Sequence, residues 1–278
     1  MKHFYLLLSL FLVAITQGQT HDTLYVWKAG NLVIKQSIKP ADMDSITFKR
    51  PDVNPNGINI PGPNATDIDG NTYQSVTNCG LTFTKTNLNV SKYTDGTTIP
   101  QVTDPTQWAN LTTGAWCYYN NTTANGATYG KLYNWYAVVG IYDAASAVNP
   151  ALRKKLAPTG WHVPTDAEWS SLINCLDPNA DGGNNFNIAG GKMKSTGTSL
   201  WISPNTDATN ASGFTGLPGG YRGDNGPFND IGLFGDWWSS SEYGSTIAWF
   251  RYLNYTNGIA NRYYYGKKNG FSVRCLRD

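Results

Sequence analysis

The fold of the C-terminal third of the chain is specified by the segment IAWFRYLNYTNGIANRYYYGKKNGFSVRC, residues 247–275. Apolar and polar side chains alternate over residues 247–255, which is typical of a half-buried strand. Asn257-Gly258 is the signal of a two-residue type I′ hairpin, and residues 262–265 return as a second strand. A terminal strand then places Phe271, Val273 and Cys275 on one face. The segment therefore predicts an antiparallel meander.

Two helices are predicted before this meander. Thr165 and Glu168 have the spacing of a capping box, so one helix begins at Thr165. Another run of apolar residues at helical spacing follows Tyr129, and Gly140 ends it. Each run places its apolar residues on one face. The faces consist of Trp169, Leu172, Ile173 and Leu176 in the first helix, and of Leu132, Trp135, Tyr136 and Val139 in the second.

The composition limits how much more helix the chain can form. It contains 29 Gly and 17 Tyr, whereas Glu occurs only at positions 168 and 242. Glu favours helices, while Gly supplies turns and positive-φ positions. We therefore expect an α+β fold with two main helices and many ordered loops.

The N-terminal residues have the organisation of an exported protein. Lys2 and His3 precede an apolar run and then small, polar residues, which predicts a signal peptide at residues 1–19. Residues 20–50 predict a small β-hairpin unit around the turn Ala29-Gly30-Asn31, with a third β-rich run at 45–48. Residues 51–64 contain four prolines and predict a linker. Residues 65–278 then form one domain, and we expect a secreted or cell-surface protein.

The charge pattern excludes some partners. Only 14% of the residues are charged and the formal net charge is +2, so the chain offers no field that would attract a nucleic acid. No segment after residue 19 is apolar enough to predict a membrane span. We expect a monomer.

Four cysteines, Cys79, Cys117, Cys175 and Cys275, follow the predicted signal peptide. In an oxidising compartment such cysteines usually pair as disulfides, and four of them allow three pairings. Their wide spacing does not match a metal-binding knuckle.

One segment has part of a calcium-loop pattern. Asp177, Asn179 and Asp181 supply oxygen atoms at alternate positions before Gly182, but Ile188 stands where an EF-hand has its bidentate Glu. A looser calcium site and an ordinary Asn/Asp turn both remain open. No other cofactor is predicted. His162 has neither a Cys nor a Ser nucleophile motif beside it, so no catalytic site is predicted.

Seven ordered motifs carry a resemblance to a known family. From Thr66 to Asp278 the chain resembles the Fibrobacter succinogenes major paralogous domain, a family of exported bacterial modules. The N-terminal VWKAG…DSITF pattern is similar to segments that precede such domains in exported proteins of Bacteroidetes-type bacteria. The motifs are TDIDGNTY (66–73), KYTDGTTIP (92–100), YGKLYNWYAV (129–138), APTGWHVPTDAEW (157–169), GLPGGYR (216–222), WWSSSEY (237–243) and KNGFSVRC (268–275).

This resemblance implies a C-type-lectin-like fold, related to that of the formylglycine-generating enzymes. It also implies the disulfides Cys117–Cys275 and Cys79–Cys175, with Cys175–Cys275 as the competing pairing. The related enzymes bind copper through two cysteines shortly before the closing strand. The corresponding residues 249–265 contain no Cys, and Tyr cannot replace a thiolate for a soft metal. The copper oxidase activity is therefore not expected here.

We expect a non-catalytic binding module for an extracellular glycan or protein. The alternatives are an extracellular polymer hydrolase that uses Asp carboxylates and Glu242, and a purely structural surface protein. Aromatic rings and planar polar groups that could hold a sugar are concentrated in the irregular segment 207–238 and just after it. The predicted ligand-binding residues are Tyr221, Arg222, Asp224, Asn225, Asp230, Trp237, Trp238 and Tyr243.

Overall fold

The structure, a computed structural model, describes residues 22–28, 31–38, 59–184 and 186–278. The chain divides into two units, which meet in sequence between Asp52 and Val53. In the first unit, β1 (Asp22–Lys28) pairs antiparallel with β2 (Asn31–Ile38). The predicted signal peptide and the third β-rich run lie outside the described residues.

The second unit is built on a five-stranded sheet in the order β3-β4-β5-β14-β8. Its strands are β3 (Ile60–Thr66), β4 (Thr72–Asn78), β5 (Leu81–Thr84), β8 (Trp161–His162) and β14 (Leu276–Arg277). All of these pairings are antiparallel. The last strand therefore closes the sheet against a strand from the start of the unit.

The predicted linker ends earlier than expected. Ile60–Thr66 forms an edge strand that pairs with β4, although it contains Pro61 and Pro63. Proline is tolerated on an edge strand because its missing N–H can face away from the partner strand. In the turn that follows β3, the Asp67 carboxylate accepts hydrogen bonds from the amides of Asp69 and Asn71 at 3.0 and 2.9 Å.

The meander is present as a three-stranded antiparallel sheet. It consists of β11 (Phe234–Glu242), β12 (Ile247–Asn254) and β13 (Ala260–Gly266) in sequence order. The type I′ prediction is wrong, because neither Asn257 nor Gly258 has a positive φ. Lys194 donates to the Asn257 carbonyl at 2.8 Å, and Gly191 N donates to the Gly258 carbonyl at 2.9 Å. These tertiary contacts fix a wider loop.

The terminal strand is shorter than predicted. Only Leu276–Arg277 pairs as β14, while Phe271 and Ser272 make isolated bridges to Tyr133 and Trp237. Phe271, Val273 and Cys275 are all buried, but Ser272 and Arg274 are buried too. The segment crosses the core instead of presenting one face to solvent.

Helix α5 (Asp166–Leu176) confirms the first predicted helix. The Thr165 hydroxyl and the Glu168 carboxylate cap each other's backbone amides, and all four apolar residues of the predicted face are buried. The second predicted helix is only partly confirmed. Leu132 and Tyr133 form β7, which pairs with β6 (Trp116–Cys117), and α3 (Trp135–Val138) begins after them.

The shortening of α3 has a local cause. The Asn134 carboxamide caps the helix by accepting from the Ala137 amide, and it also accepts from the Ala115 amide, both at 3.0 Å. The side chain thereby starts the helix at Trp135, three residues after Leu132. The remaining short elements are α1 (Pro105–Ala109), α2 (Thr123–Tyr129), α4 (Ala144–Val148), α6 (Ala189–Met193), β9 (Tyr221–Arg222) and β10 (Phe228–Asn229).

One predicted disulfide is present and the other is not. Cys79 and Cys175 are bonded, with their Cα atoms 6.1 Å apart, so the turn before β5 is tied to α5. Cys117 and Cys275 are free and buried, and they belong to different clusters of core residues. The predicted pairing of Cys117 with Cys275 is therefore wrong, as is the competing pairing of Cys175 with Cys275.

These elements make the second unit a mixed α+β domain, as predicted. In the part of the chain that the structure describes, no helix is both long and apolar enough to cross a membrane.

Candidate functional site

The meander sheet has two faces that pack differently. On one face, Trp237, Leu253 and Ala260 join the core cluster that contains the apolar side of α5. We call this the helix-covered face. On the other face, Trp238 and Phe250 join a second cluster together with Phe271. Since neighbouring residues of a strand point to opposite faces, the strand register assigns each remaining side chain to one of the two.

The helix-covered face contains a cluster of ion pairs. The Asp166 carboxylate, at the start of α5, accepts from Arg251 at 2.7 Å and from Arg262 at 2.8 Å. Burial opposes ionisation of Asp166, but the hydrogen bonds from Arg262 and Arg251 outweigh it, so the pKa of Asp166 lies below its ordinary value. The two guanidinium groups share this one carboxylate, and the cluster attaches the helix to β12 and β13.

The other face exposes tyrosine rings. We call it the tyrosine face and define it by Tyr221, Tyr252, Tyr263 and Tyr265. Tyr263 and Tyr265 are two residues apart on the edge strand β13 and are 50% and 41% exposed, while Tyr221 and Tyr252 are half-buried. Such rings combine a large apolar surface with a hydroxyl group that can contact water or a ligand.

The tyrosine rings rest on buried aromatic residues. Phe250 contacts Tyr252, Tyr263 and Tyr265, with ring centroids 5.8, 6.4 and 6.1 Å away. Tyr221 contacts Tyr265 at 6.2 Å and Phe271 at 5.7 Å. The rings are therefore held in place from below, which reduces the entropy that they would lose on binding a ligand.

Asp236 lies on the same face, opposite Tyr252 in the register of β11 and β12. The residue is 5% exposed, and its buried Oδ2 atom has no hydrogen-bond partner among the described residues. Burial raises the pKa of Asp236 well above its ordinary value, and the charge of Asp230 raises it further. Burial also raises the pKa of Asp230 and brings the pKa of Tyr221 to about 12.

A separate aromatic group lies at the open end of the helix-covered face. Tyr243 is 49% exposed and stacks on Tyr264 with the ring planes 2° apart and the centroids at 4.2 Å. Trp249 meets both rings edge-on, and the Arg262 guanidinium lies 3.4 Å from the centre of Trp249. This group extends the aromatic surface of the sheet around its edge.

Three of the predicted ligand-binding residues are buried. Trp237 and Trp238 are fully enclosed in the core, and their indole N–H groups donate to Asn87 Oδ1 at 2.9 Å and to the Tyr133 carbonyl at 2.8 Å. In a Gly-rich segment these rings fill the space that small residues leave. They support the surface from inside, and the expectation that they contact a ligand directly is not met in this structure.

Arg222 also has a structural place. Its guanidinium donates to the carbonyls of Val102, Thr103 and Gly226 at 2.6, 2.8 and 2.9 Å and lies 4.4 Å from the centre of the Trp108 ring. It joins the segment before α1 to β9. Replacement of Arg222 would leave three carbonyl groups without this partner, so it cannot serve as a neutral probe of a surface site.

The other predicted residues lie at or near the surface. Asp224 and Asn225 are exposed, Asp230 and Tyr221 are half-buried, and Tyr243 belongs to the separate aromatic group. A role of these five residues in binding stays a prediction. Sequence analysis missed Asp236, Tyr252, Tyr263 and Tyr265. The three tyrosines lie in segments recognised as strands, and the alternation of those strands was the signal that could have placed them on one face.

The predicted calcium segment forms a turn. The Asp177 carboxylate accepts from the amides of Asn179 at 3.1 Å and Ile188 at 2.9 Å, so its oxygen atoms already bind backbone donors. In the described part of the chain, no group of three or more His, Cys, Asp or Glu residues could hold a metal ion. His162 lies between two carboxylates, 3.0 Å from Glu168 and 2.6 Å from Asp278, which connects β8 to α5 and to the C-terminus.

The fold and this surface define a mixed α+β domain that displays tyrosines on a three-stranded sheet. Comparison with protein families places the domain more closely: residues 76–277 match the Fibrobacter succinogenes major domain, and the chain belongs to that family. No curated protein matches the chain, and no solved structure does so either.

Proposed function

We propose that this protein is an exported, non-catalytic binding module that holds an extracellular glycan on its tyrosine face. The observation that carries the proposal is the set of exposed and half-buried tyrosines on one face of β12 and β13, supported by a buried aromatic layer. A sugar ring presents C–H groups to such a surface, and the tyrosine hydroxyls can meet sugar hydroxyls.

Export and the finer fold belong to the same proposal. The signal-peptide pattern at residues 1–19 supports secretion or display at the cell surface, and so does the Cys79–Cys175 disulfide, since disulfides persist in oxidising compartments. A C-type-lectin-like fold is supported by β14, which pairs with β5 and so brings the last strand of the domain next to an early one. We propose that the module acts as a monomer.

The hydrolase alternative is less well supported. Glu242, its best carboxylate on sequence grounds, accepts a hydrogen bond from the buried Lys267 ammonium group. Lys267 also donates to the Ser245 carbonyl at 2.7 Å, so this carboxylate belongs to a local ion pair next to a loop. A glycosidase needs two carboxyl groups that face each other across a substrate cleft.

The proposal is tested with the Tyr263→Ala/Tyr265→Ala double variant of the mature protein. We expect the variant to lose at least about tenfold in affinity for a polysaccharide that the wild type binds, which corresponds to about 1.4 kcal/mol. Affinity gel electrophoresis against a panel of soluble polysaccharides measures this. Tyr142→Ala is the matched control, because Tyr142 is a 36% exposed tyrosine elsewhere on the domain. Equal losses in both variants would contradict the proposal, as would wild-type protein that binds no polysaccharide of the panel.

A further inference from the structure

The tyrosine face combines aromatic rings with a buried carboxyl group that has an unused oxygen atom. We propose that this face recognises a protonated amine, and that its ligand is a polymer of amino sugars with free amino groups. The inference rests on the proposed glycan-binding function and specifies the class of glycan.

The position of Asp236 follows from the strand register. Its neighbour Trp237 packs into the cluster beneath α5, so the Asp236 side chain points to the opposite face. Phe234 and Tyr252 lie on that face as well, and their ring centroids are 5.9 Å apart. The Asp236 carboxyl group is thus placed among the rings that define or border the tyrosine face.

The unused oxygen atom sets Asp236 apart from an ordinary buried acid. Buried polar atoms in native proteins nearly always have a partner, and an exception calls for an explanation. Within the described residues, neither Asp230 nor Asp236 takes part in an ion pair. A ligand that brings a positive charge would supply the partner that Oδ2 of Asp236 lacks.

The rings indicate which kind of cation fits. An ammonium group is attracted to the faces of tyrosine rings and can at the same time donate hydrogen bonds to a carboxylate. A hard metal ion would need several oxygen ligands around it, and ring faces provide none. Tyr221 and Tyr252 are half-buried, and the charge of Asp236 contributes to raising the pKa of both, so these two rings lie within its electrostatic reach.

An amino sugar satisfies both parts of the surface. Its pyranose ring can lie on the exposed Tyr263 and Tyr265, while its amine reaches the carboxyl groups beside Tyr221 and Tyr252. N-acetylation of the same sugar removes the positive charge and adds bulk at that nitrogen. The amine and the N-acetyl form therefore provide a matched pair of ligands that differ at the recognised group.

The experiment is isothermal titration calorimetry of the full mature protein with a glucosamine hexamer and with its N-acetylated counterpart. It is run at several pH values from mildly acidic to neutral, because the amines must be protonated while the Asp236 carboxyl group, whose pKa is raised, must ionise to pair with them. We expect the free amine form to bind at least about tenfold more tightly, since it adds a cation–π contact and a hydrogen bond to a carboxylate that the N-acetyl form lacks. Asp236→Asn, which keeps the shape of the side chain, is expected to remove this preference.

Asp95→Asn is the control variant. It removes one negative charge from an exposed carboxylate that pairs with Lys154, so it changes the net charge equally and should keep the preference. Tyr265→Leu provides a second variant if Asp236→Asn folds poorly, and it should weaken binding of the amine form.

Each remaining outcome decides against the inference in a different way. Equal affinity for both hexamers, or binding only of uncharged polysaccharides, would overturn the amine assignment and leave the proposed glycan-binding function standing. Stronger binding of a lysine-rich peptide than of the glucosamine hexamer would overturn the assignment to an amino sugar and identify a basic peptide as the ligand.

Discussion

Each face of the meander sheet meets an aspartate, and the two have opposite surroundings: Asp166 of α5 is half-buried, whereas Asp236 of β11 is buried. Asp166 has two arginine partners within 2.8 Å, and its pKa is lowered despite its burial. Asp236 has an oxygen atom with no hydrogen-bond partner in the described part of the chain, and burial together with the charge of Asp230 raises the pKa of Asp236. The first carboxylate stabilises the fold, whereas the second reduces stability at neutral pH.

This difference distinguishes a face that stabilises the fold from a face that we propose to bind a ligand. Burying an unpaired carboxylate costs free energy, so a protein that needed only stability would have an apolar residue at position 236. Such costs are common at binding sites, where a ligand supplies the missing interaction. The difference supports a framework role for the helix-covered face and supports the proposal that the tyrosine face binds the ligand.

The largest loss of stability is expected for the Asp166→Ala substitution. The substitution leaves Arg251, which is buried, without its counter-charge, and such a break costs about 3–5 kcal/mol. The native pKa of Asp166 is lowered, so its contribution is present at neutral pH and is lost as the pH falls below about 4. Urea unfolding at several pH values measures this. A cost that does not shrink in acid would contradict the role assigned to the ion pair.

A smaller loss is expected when the Cys79–Cys175 disulfide is removed. It closes a sequence separation of 96 residues and connects α5, which packs on the helix-covered face, to the turn before β5. The Cys79→Ser/Cys175→Ser variant should lose about 2–4 kcal/mol of unfolding free energy. Cys117→Ala serves as the control. Cys117 is free, so a reducing agent should destabilise this variant as much as it destabilises the wild type.

The Asp236→Asn substitution should increase the free energy of unfolding, in contrast to the two preceding changes. Removing the ionisable group is expected to stabilise the protein at neutral pH by about 1–2 kcal/mol, because the buried carboxyl no longer has to ionise or hold a proton. The native pKa of Asp236 is raised, so the folded state holds its proton more tightly than the unfolded state does. Wild-type stability thus falls as the pH rises above about 4, and the gain in the variant should vanish in acid.

The smallest change in stability is expected for Tyr263→Ala/Tyr265→Ala. Both rings are on the exposed side of an edge strand, so the unfolding midpoint should move little compared with that of Asp166→Ala. Circular dichroism during thermal unfolding measures the shift. A loss as large as that of Asp166→Ala would mean that these rings belong to the framework, and the comparison between the faces would fail.

Much of the fold could be predicted because its signals are local. The capping box at Thr165 and Glu168 specified α5, and the alternation in residues 247–265 specified the meander. Predictions failed where distant contacts override local preference. Asn134 is held by the Ala115 amide and starts α3 late, and Lys194 holds the loop in which Asn257-Gly258 predicted a type I′ turn.

The candidate site was harder to predict because burial is not visible in a single sequence. Arg222 and Trp238 have the chemistry of ligand contacts, but the fold uses them inside the core. Asp236 stands beside two tryptophans in a strand, and nothing local indicates that its carboxyl group lacks a partner. Only the register of β11 against β12 places it with Tyr252 on the tyrosine face.

The most direct test of this account is the titration of the Asp236 carboxyl group in the folded protein. Carbon-13 NMR of aspartate-labelled protein follows each carboxyl carbon with pH, and the Asp236→Asn variant assigns the signal. We expect a titration midpoint well above the ordinary value near 4, and a lower midpoint when the glucosamine hexamer is bound. A midpoint near the ordinary value in the free protein would contradict it.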